Sequence, residues 1–285
     1  MTTPGMGHNT FIWRSPFSTA SDLDLVDHVA ALGAEVLEIA VEEPSLVEGA
    51  ALAAALDARG LGAVVCGAFG PERDVGALDP ATRERTLSYL VALFDLAARI
   101  GADLVVGPAF GSVGLARPLP PEERRAERDR VVQALREVAP EAASRGVRLA
   151  LEPLNRFETD RINTARQGLD LCDDVGHDAV GLLLDSFHMH LEEKSSGAAL
   201  RSAGDRLFHV HASENDRGVP GTGQVAWREI ATALQETDYR GYVVIESFTP
   251  AVTSIAGAVC LWREVAPSQD AIAADGLAFL RSLWR

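Results

Sequence analysis

The sequence is short of three things, and each shortage excludes something. It has a single lysine, Lys194, inside the polar stretch "EEKSSG". A Schiff-base mechanism needs a lysine in a desolvated pocket, so imine chemistry is not expected. It has three cysteines, Cys66, Cys172 and Cys260, odd in number and far apart. None has the paired spacing of a zinc or redox motif, and a reduced, cytoplasmic setting is the expectation. Positive charge is scarce too: 26 Lys and Arg against 41 Asp and Glu give a formal net charge of −15. Such a chain is a poor partner for nucleic acid or an anionic membrane. Its densest basic run, "RRAERDR" (124–130), is broken by acids and reads as a solvated helix face. No apolar run is long enough to cross a bilayer. The opening "MTTPGMGHNT" lacks the basic-then-apolar order of a signal peptide.

What is present is enough for a sizeable core: 285 residues, 47% of them hydrophobic. Eight short apolar runs read as strands: "TFIW" (10–13), "VLEIAV" (36–41), "LGAVVCGAFG" (61–70), "DLVVGPAFG" (103–111), "VRLALEPLN" (147–155), "VGLLLDSFHM" (180–189), "LFHVHASE" (207–214) and "GYVVIESFTP" (241–250). Helical patterns alternate with them at 21–34, 81–102, 121–146, 164–176, 225–238 and 251–265, the first with Ser21 as a candidate cap. Alternating strands and helices imply parallel pairing. Near-continuous apolar strands imply cover on both faces. The count of eight and the length match a (β/α)8 TIM barrel occupying residues 1–285 as one domain, with no linker or low-complexity tract. An open doubly wound sheet is the alternative, but no strand runs into a G-x-G-x-x-G turn.

Side chains alternate faces along a strand. Ala150 and Glu152 therefore share a face, as do Leu183 and Asp185, His209 and His211, and Val244 and Glu246. Four successive strands can each deliver one polar group to the same face near the carboxyl end, where active sites of this fold lie. A lone acid at a strand end is ordinarily a loop cap. Four such groups in one register need another explanation. Three carboxylates and an imidazole cannot sit together without a cation, and an oxygen-rich set with one histidine suits Mn²⁺, with Mg²⁺ or Co²⁺ as alternatives. His209, one layer below His211, is expected to hydrogen-bond rather than ligate. His28, His177 and His190 are expected to be structural or exposed.

The runs "LEPLNRFETD", "LDSFHMHLEE", "HVHASENDRGVPGTGQVAW" and "VVIESF" together resemble the ketose 3-epimerase family (D-tagatose, D-psicose and L-ribulose 3-epimerases), within the xylose-isomerase-like TIM barrels. The strong motifs occupy the second half of the chain. The resemblance implies one divalent metal on Glu152, Asp185, His211 and Glu246. It implies substrate contacts from Glu158, His188 and Arg217, with Cys66 either a pocket residue or a buried small hydrophobe. It also implies a cis-enediolate route in which Glu152 and Glu246 exchange the proton at carbon 3. The substrate would be a free sugar, and the protein a homodimer or homotetramer. Where some members carry an aromatic after the fourth strand, this chain has Val113, while Trp13 and Phe17 are candidate lid aromatics. An aldose–ketose isomerase of the hydroxypyruvate isomerase kind, or an inosose dehydratase, could use the same metal set. A three-zinc apurinic endonuclease would need extra histidines on the early strands, where only Glu38 is found. A non-catalytic sugar sensor is not excluded by fold.

Overall fold

Eight parallel strands close into a barrel in chain order in the computed structural model, which describes residues 3–285. They are β1 Gly5–Asn9, β2 Val36–Val41, β3 Gly62–Gly67, β4 Leu104–Gly107, β5 Arg148–Leu151, β6 Val180–Asp185, β7 Leu207–Ala212 and β8 Tyr242–Ile245. The helices are α1 Asp24–Ala31, α2 Gly49–Arg59, α3 Pro80–Arg99, α4 Pro121–Ser144, α5 Ala165–Val175, α6 Ser186–Glu192, α7 Ser196–Ala203, α8 Trp227–Glu236, α9 Thr253–Ala256 and α10 Gln269–Ser282. The TIM barrel expected from the sequence is therefore the fold. No helix among the described residues is long and apolar enough to cross a membrane.

Two cores follow from the alternation of side chains. Outward residues such as Leu37, Ile39, Val65, Leu149 and Leu182 pack under the helices. Inward residues, including Val36, Ala40, Val64, Cys66, Val106, Ala150, Leu183 and Val244, fill the barrel. The expected parity of β5, β6 and β8 holds. On β7 it is interrupted, because the pairing with β6 shifts register between Leu182 and Leu183. Phe208 takes up the slip and joins the interior, its ring lying where a Cβ on Gly181 would stand, at 2.5 Å. Glycine at 181 leaves the room that this ring needs.

The first strand corrects the sequence reading. It runs over Gly5–Asn9, and "TFIW" begins a short 3₁₀ turn, Thr10–Ile12. Glycines at 5 and 7 mask the strand by propensity. Yet Gly7 is required, because a Cβ there would lie 1.8 Å from the Val36 carbonyl oxygen. Asn9 ends the strand by accepting a hydrogen bond from the Phe11 N–H. The Ser21 cap is also corrected: α1 begins at Asp24 after Leu23, which makes no side-chain cap. The helix expected over 251–265 shrinks to the four residues of α9. α10 covers the barrel after β8 instead, its Ala273 carbonyl accepting from His8 Nε2 at 3.1 Å. Helix α5 matches its pattern, closed by a Thr164–Gln167 capping box and a left-handed Gly176.

Candidate active site

The strand ends bring the four expected groups together. Asp185 is the last residue of β6 and His211 lies on β7; Glu152 and Glu246 follow β5 and β8 directly. All four are buried, and one candidate ligand atom from each lies within 4.8 Å of the others. His211 Nδ1 is 3.8 Å from Glu152 Oε1 and 3.6 Å from Glu246 Oε2. That nitrogen has no hydrogen-bond partner. The opposite nitrogen, Nε2, is 2.8 Å from Glu38 Oε1. A carboxylate only accepts, so Nε2 carries a proton. Burial would lower this imidazole, but Glu38 and Glu246 raise it well above its ordinary value, so without a cation Nδ1, which faces the carboxylates, is protonated too. A cation or a second proton must sit among them. The carboxylate–imidazole pairing is the usual way of orienting a metal-binding histidine. The donor set therefore fits a hard divalent cation.

Glu38 was the group the sequence reading undervalued. It is fully buried on β2, and its Oε1 also accepts from Asn9 Nδ2 at 2.6 Å. His209 Nε2 stands 2.7 Å from the other oxygen, off the line of a hydrogen bond. Burial would raise the Glu38 carboxyl, but His211 and His209 hold it well below its ordinary value. His209 thus lies beneath the cluster against Glu38, as a neighbour of the site. Only the closed barrel brings β2 against β7, so no motif in the chain could mark Glu38.

Arg217 supplies the positive charge on the other side. Its Nη1 donates to Asp185 Oδ2 at 3.0 Å, Glu246 Oε2 at 3.2 Å and Ser213 Oγ at 2.8 Å. The guanidinium lies over the Phe187 ring, 3.9 Å from its centroid. Its backbone has φ of 63°, uncommon for a non-glycine residue. Two bonds fix this turn: Arg217 N–H donates to the Glu214 carbonyl, and Ser247 Oγ donates to the Arg217 carbonyl. The loop itself is gathered on the buried Glu214 carboxylate, which accepts from Gly221 N, Val225 N and Trp227 Nε1.

His188 is set by Asn155, whose backbone N–H and Nδ2 both donate to His188 Nδ1 at 3.0 Å. Nε2 therefore carries the proton and faces Glu152 Oε1 across 3.7 Å. Burial, then Arg217 and His211, keeps this ring neutral by pushing its pKa well down. Asn155 Nδ2 also donates to Glu158 Oε1 at 2.7 Å. Glu158, His188, Arg217 and Cys66 all line one open cleft of ≈ 320 Å³ with Glu152 and Glu246. Burial, then Glu38 and Glu246, pushes the Cys66 thiol up, which leaves it a neutral wall group rather than a thiolate.

The glutamates are pushed apart. Burial, then the Glu246 charge, raises Glu152 well above the ordinary carboxyl range. Burial would raise Glu246 as well, but His211 and Arg217 hold it below. Burial lifts Asp185 to about 6 against the pull of Arg217.

Trp13 and Phe17 are not lid residues. Both are buried, and Trp13 Nε1 is held by the Asp270 Oδ1 acceptor at 2.9 Å. Phe11, Phe69 and Phe248 supply the aromatic wall instead, and Val113 lies on the same cleft. Phe11 was hidden because "TFIW" reads as a strand. His190 is exposed, and His28 pairs with Asp270 at 2.8 Å and does not line the cleft.

Residues 26–283 match the family model described as xylose isomerase-like TIM barrel. The chain is 34% identical to a probable ketose 3-epimerase of Synechocystis sp., over 98% of its own length and 96% of that protein's. It is 32% identical to a D-psicose 3-epimerase of Ruminiclostridium cellulolyticum, over 86% of this chain and 84% of that one. A D-allulose 3-epimerase from Methylomonas sp., crystallised in complex with D-allulose, superposes with a TM-score of 0.92 at 29% identity, covering 99% of this chain and 98% of that chain.

Proposed function

The chain belongs to the ketose 3-epimerase family of xylose isomerase-like TIM barrels, and on that premise we propose that it inverts carbon 3 of a free ketose, with Glu152 and Glu246 exchanging the proton. One observation carries the reading. Two buried carboxyls flank the same unpartnered nitrogen, His211 Nδ1, and both open on one cleft. Epimerisation removes a proton from one face of a carbon and returns one to the other, which takes two acid–base groups on opposite sides. Glu152 follows β5 and Glu246 follows β8, and approach from different strands supports giving one face to each. Each carboxylate has two oxygens, so each can hold a cation through one and move a proton with the other.

Glu152, Asp185, His211 and Glu246 would hold one divalent ion, with Mn²⁺ favoured and Mg²⁺ or Co²⁺ as alternatives. Bound there, it would supply Lewis-acid stabilisation of the negative charge that develops on the substrate oxygens along a cis-enediolate route. The chain's own groups do the rest. The N–H at Nε2 of His188 donates to a substrate oxygen beside Glu152. Arg217 holds Asp185 and Glu246 in place and offers its remaining N–H groups to the cleft. Glu158 accepts from a substrate hydroxyl while Asn155 fixes its other contact. Phe11 and Phe248, with ring centroids 5.4 Å apart, limit water at the reacting carbon.

The test is a Mn²⁺-supplemented assay over D-tagatose, D-fructose, D-psicose and L-ribulose, with products separated by chromatography. Carbon 3 epimers of at least one ketose are expected. Aldose products would instead assign the aldose–ketose isomerase reaction.

A further inference from the structure

The cleft has a second polar wall away from the metal-binding cluster. Inward positions on β2 run Val36, Glu38, Ala40, and the same alternation carried one step past the strand puts Glu42 at the mouth above them. Glu42 lines the cleft together with Phe69, Arg73 and Val113, over the ends of the second to fourth strands. Its two oxygens differ. Oε1 accepts from Ser15 Oγ at 2.5 Å, whereas Oε2 is enclosed and has no hydrogen-bond partner. An enclosed carboxylate oxygen without a donor is costly, and the last torsion of a glutamate turns easily. The nearby cation does not supply the donor. Arg73 lies over the Tyr89 ring at 3.9 Å and donates to the carbonyls of Ala68 and Glu42 and to Glu43 Oε1.

We propose that Glu42 is a specificity-determining residue that accepts a hydrogen bond from the terminal hydroxyl of the ketose. This inference rests on the epimerase reading above. Carbons 1 to 3 of the substrate must lie over Glu152, His188 and Glu246, since those groups carry the chemistry. The rest of the sugar then extends along the remaining cleft, between the Phe69 and Val113 side chains and the Glu42 carboxylate. A hydroxyl there meets an acceptor that has no protein donor, reached by a turn of the last glutamate torsion. A phosphoryl group there meets a fixed negative charge beside an arginine already engaged, so the wall selects a neutral sugar end.

The experiment measures binding by calorimetry with Mn²⁺-supplemented protein, using D-fructose and 6-deoxy-D-fructose. A hydrogen bond to a charged acceptor predicts about tenfold or greater loss of affinity for the deoxy sugar. Glu42→Ala should bring the two sugars within about twofold of each other. Glu42→Gln, which keeps size and an uncharged acceptor, should leave a difference of about two- to fivefold. Equal binding by the unmodified protein, an undiminished difference in Glu42→Ala, or no binding of either ketose overturns the proposal. Exchange of the carbon 3 proton is followed separately on D-fructose. Terminal-hydroxyl discrimination without that exchange would sink the epimerase reading alone, and exchange without discrimination would sink the role of Glu42 alone.

Discussion

Glu38→Gln is the substitution that probes the centre most sharply, because Glu38 is not itself an expected ligand yet sets the one imidazole in the cluster. The change keeps the volume and removes one charge. Glu38 Oε1 now accepts from His211 Nε2 at 2.8 Å and Asn9 Nδ2 at 2.6 Å, both in a fully buried setting. A glutamine has one carbonyl oxygen for those donors, and its NH₂ group must face His209. Losing one charge-assisted hydrogen bond costs about 1.5–3 kcal/mol, which is a factor of about 10–100 in an equilibrium constant. That loss falls on the orientation and basicity of His211, and so on the metal. Calorimetric titration of the chelator-treated protein with Mn²⁺ should show Kd weakened by about 10–100-fold, the range seen for such supporting partners. Far-ultraviolet circular dichroism should be unchanged. An unaltered Kd in a folded Glu38→Gln protein would refute the claim that Glu38 organises His211.

Two further outcomes follow from the same geometry. At saturating Mn²⁺, Glu246→Gln should lower kcat by about 10²–10⁴ while calorimetry shows ketose binding retained, whereas a sensor would lose nothing measurable. His8 gives a pH dependence. Burial, against its bond to the Ala273 carbonyl, lowers its pKa to about 4 in the folded protein from 6.5. The unfolded chain therefore binds this proton more readily, so the contribution to stability is complete above pH 6.5 and is lost as pH falls toward 4. The loss amounts to roughly 3 kcal/mol. Denaturant melts at pH 7 and 4.5 should show a smaller drop for His8→Gln than for the unmodified protein; equal drops would remove His8 as the cause.

The sequence carried the barrel because its signals are local and repeated. Apolar strands with polar ends recur on β5 to β8, and period-two alternation alone placed Glu152, Asp185, His211 and Glu246 on one face. Strand β1 was missed because glycines at 5 and 7 carry no apolar signal, although close packing against Val36 demands glycine at 7. Phe11 in place of Trp13 and Phe17 has the same origin, since moving the strand by a few residues changes which aromatic reaches the mouth; Phe69 and Phe248 come from the loops after β3 and β8. Glu38 could not be weighed from the chain. Asn9 stands opposite it on the adjoining strand, but His211 is 173 residues away, and only closure of the barrel makes that residue a neighbour. Phe208 likewise needs the β6–β7 slip, which alternation does not foresee.

The central claim is that the two glutamates move the proton on carbon 3. Incubation of the Mn²⁺-loaded protein with D-fructose, D-tagatose, D-psicose and L-ribulose in D₂O, read by NMR, tests it directly. The account predicts deuterium at carbon 3 of substrate and epimer for at least one of these ketoses, and none at carbon 1. Deuterium at carbon 1 with carbon 3 untouched, or no exchange with any of them, would contradict it.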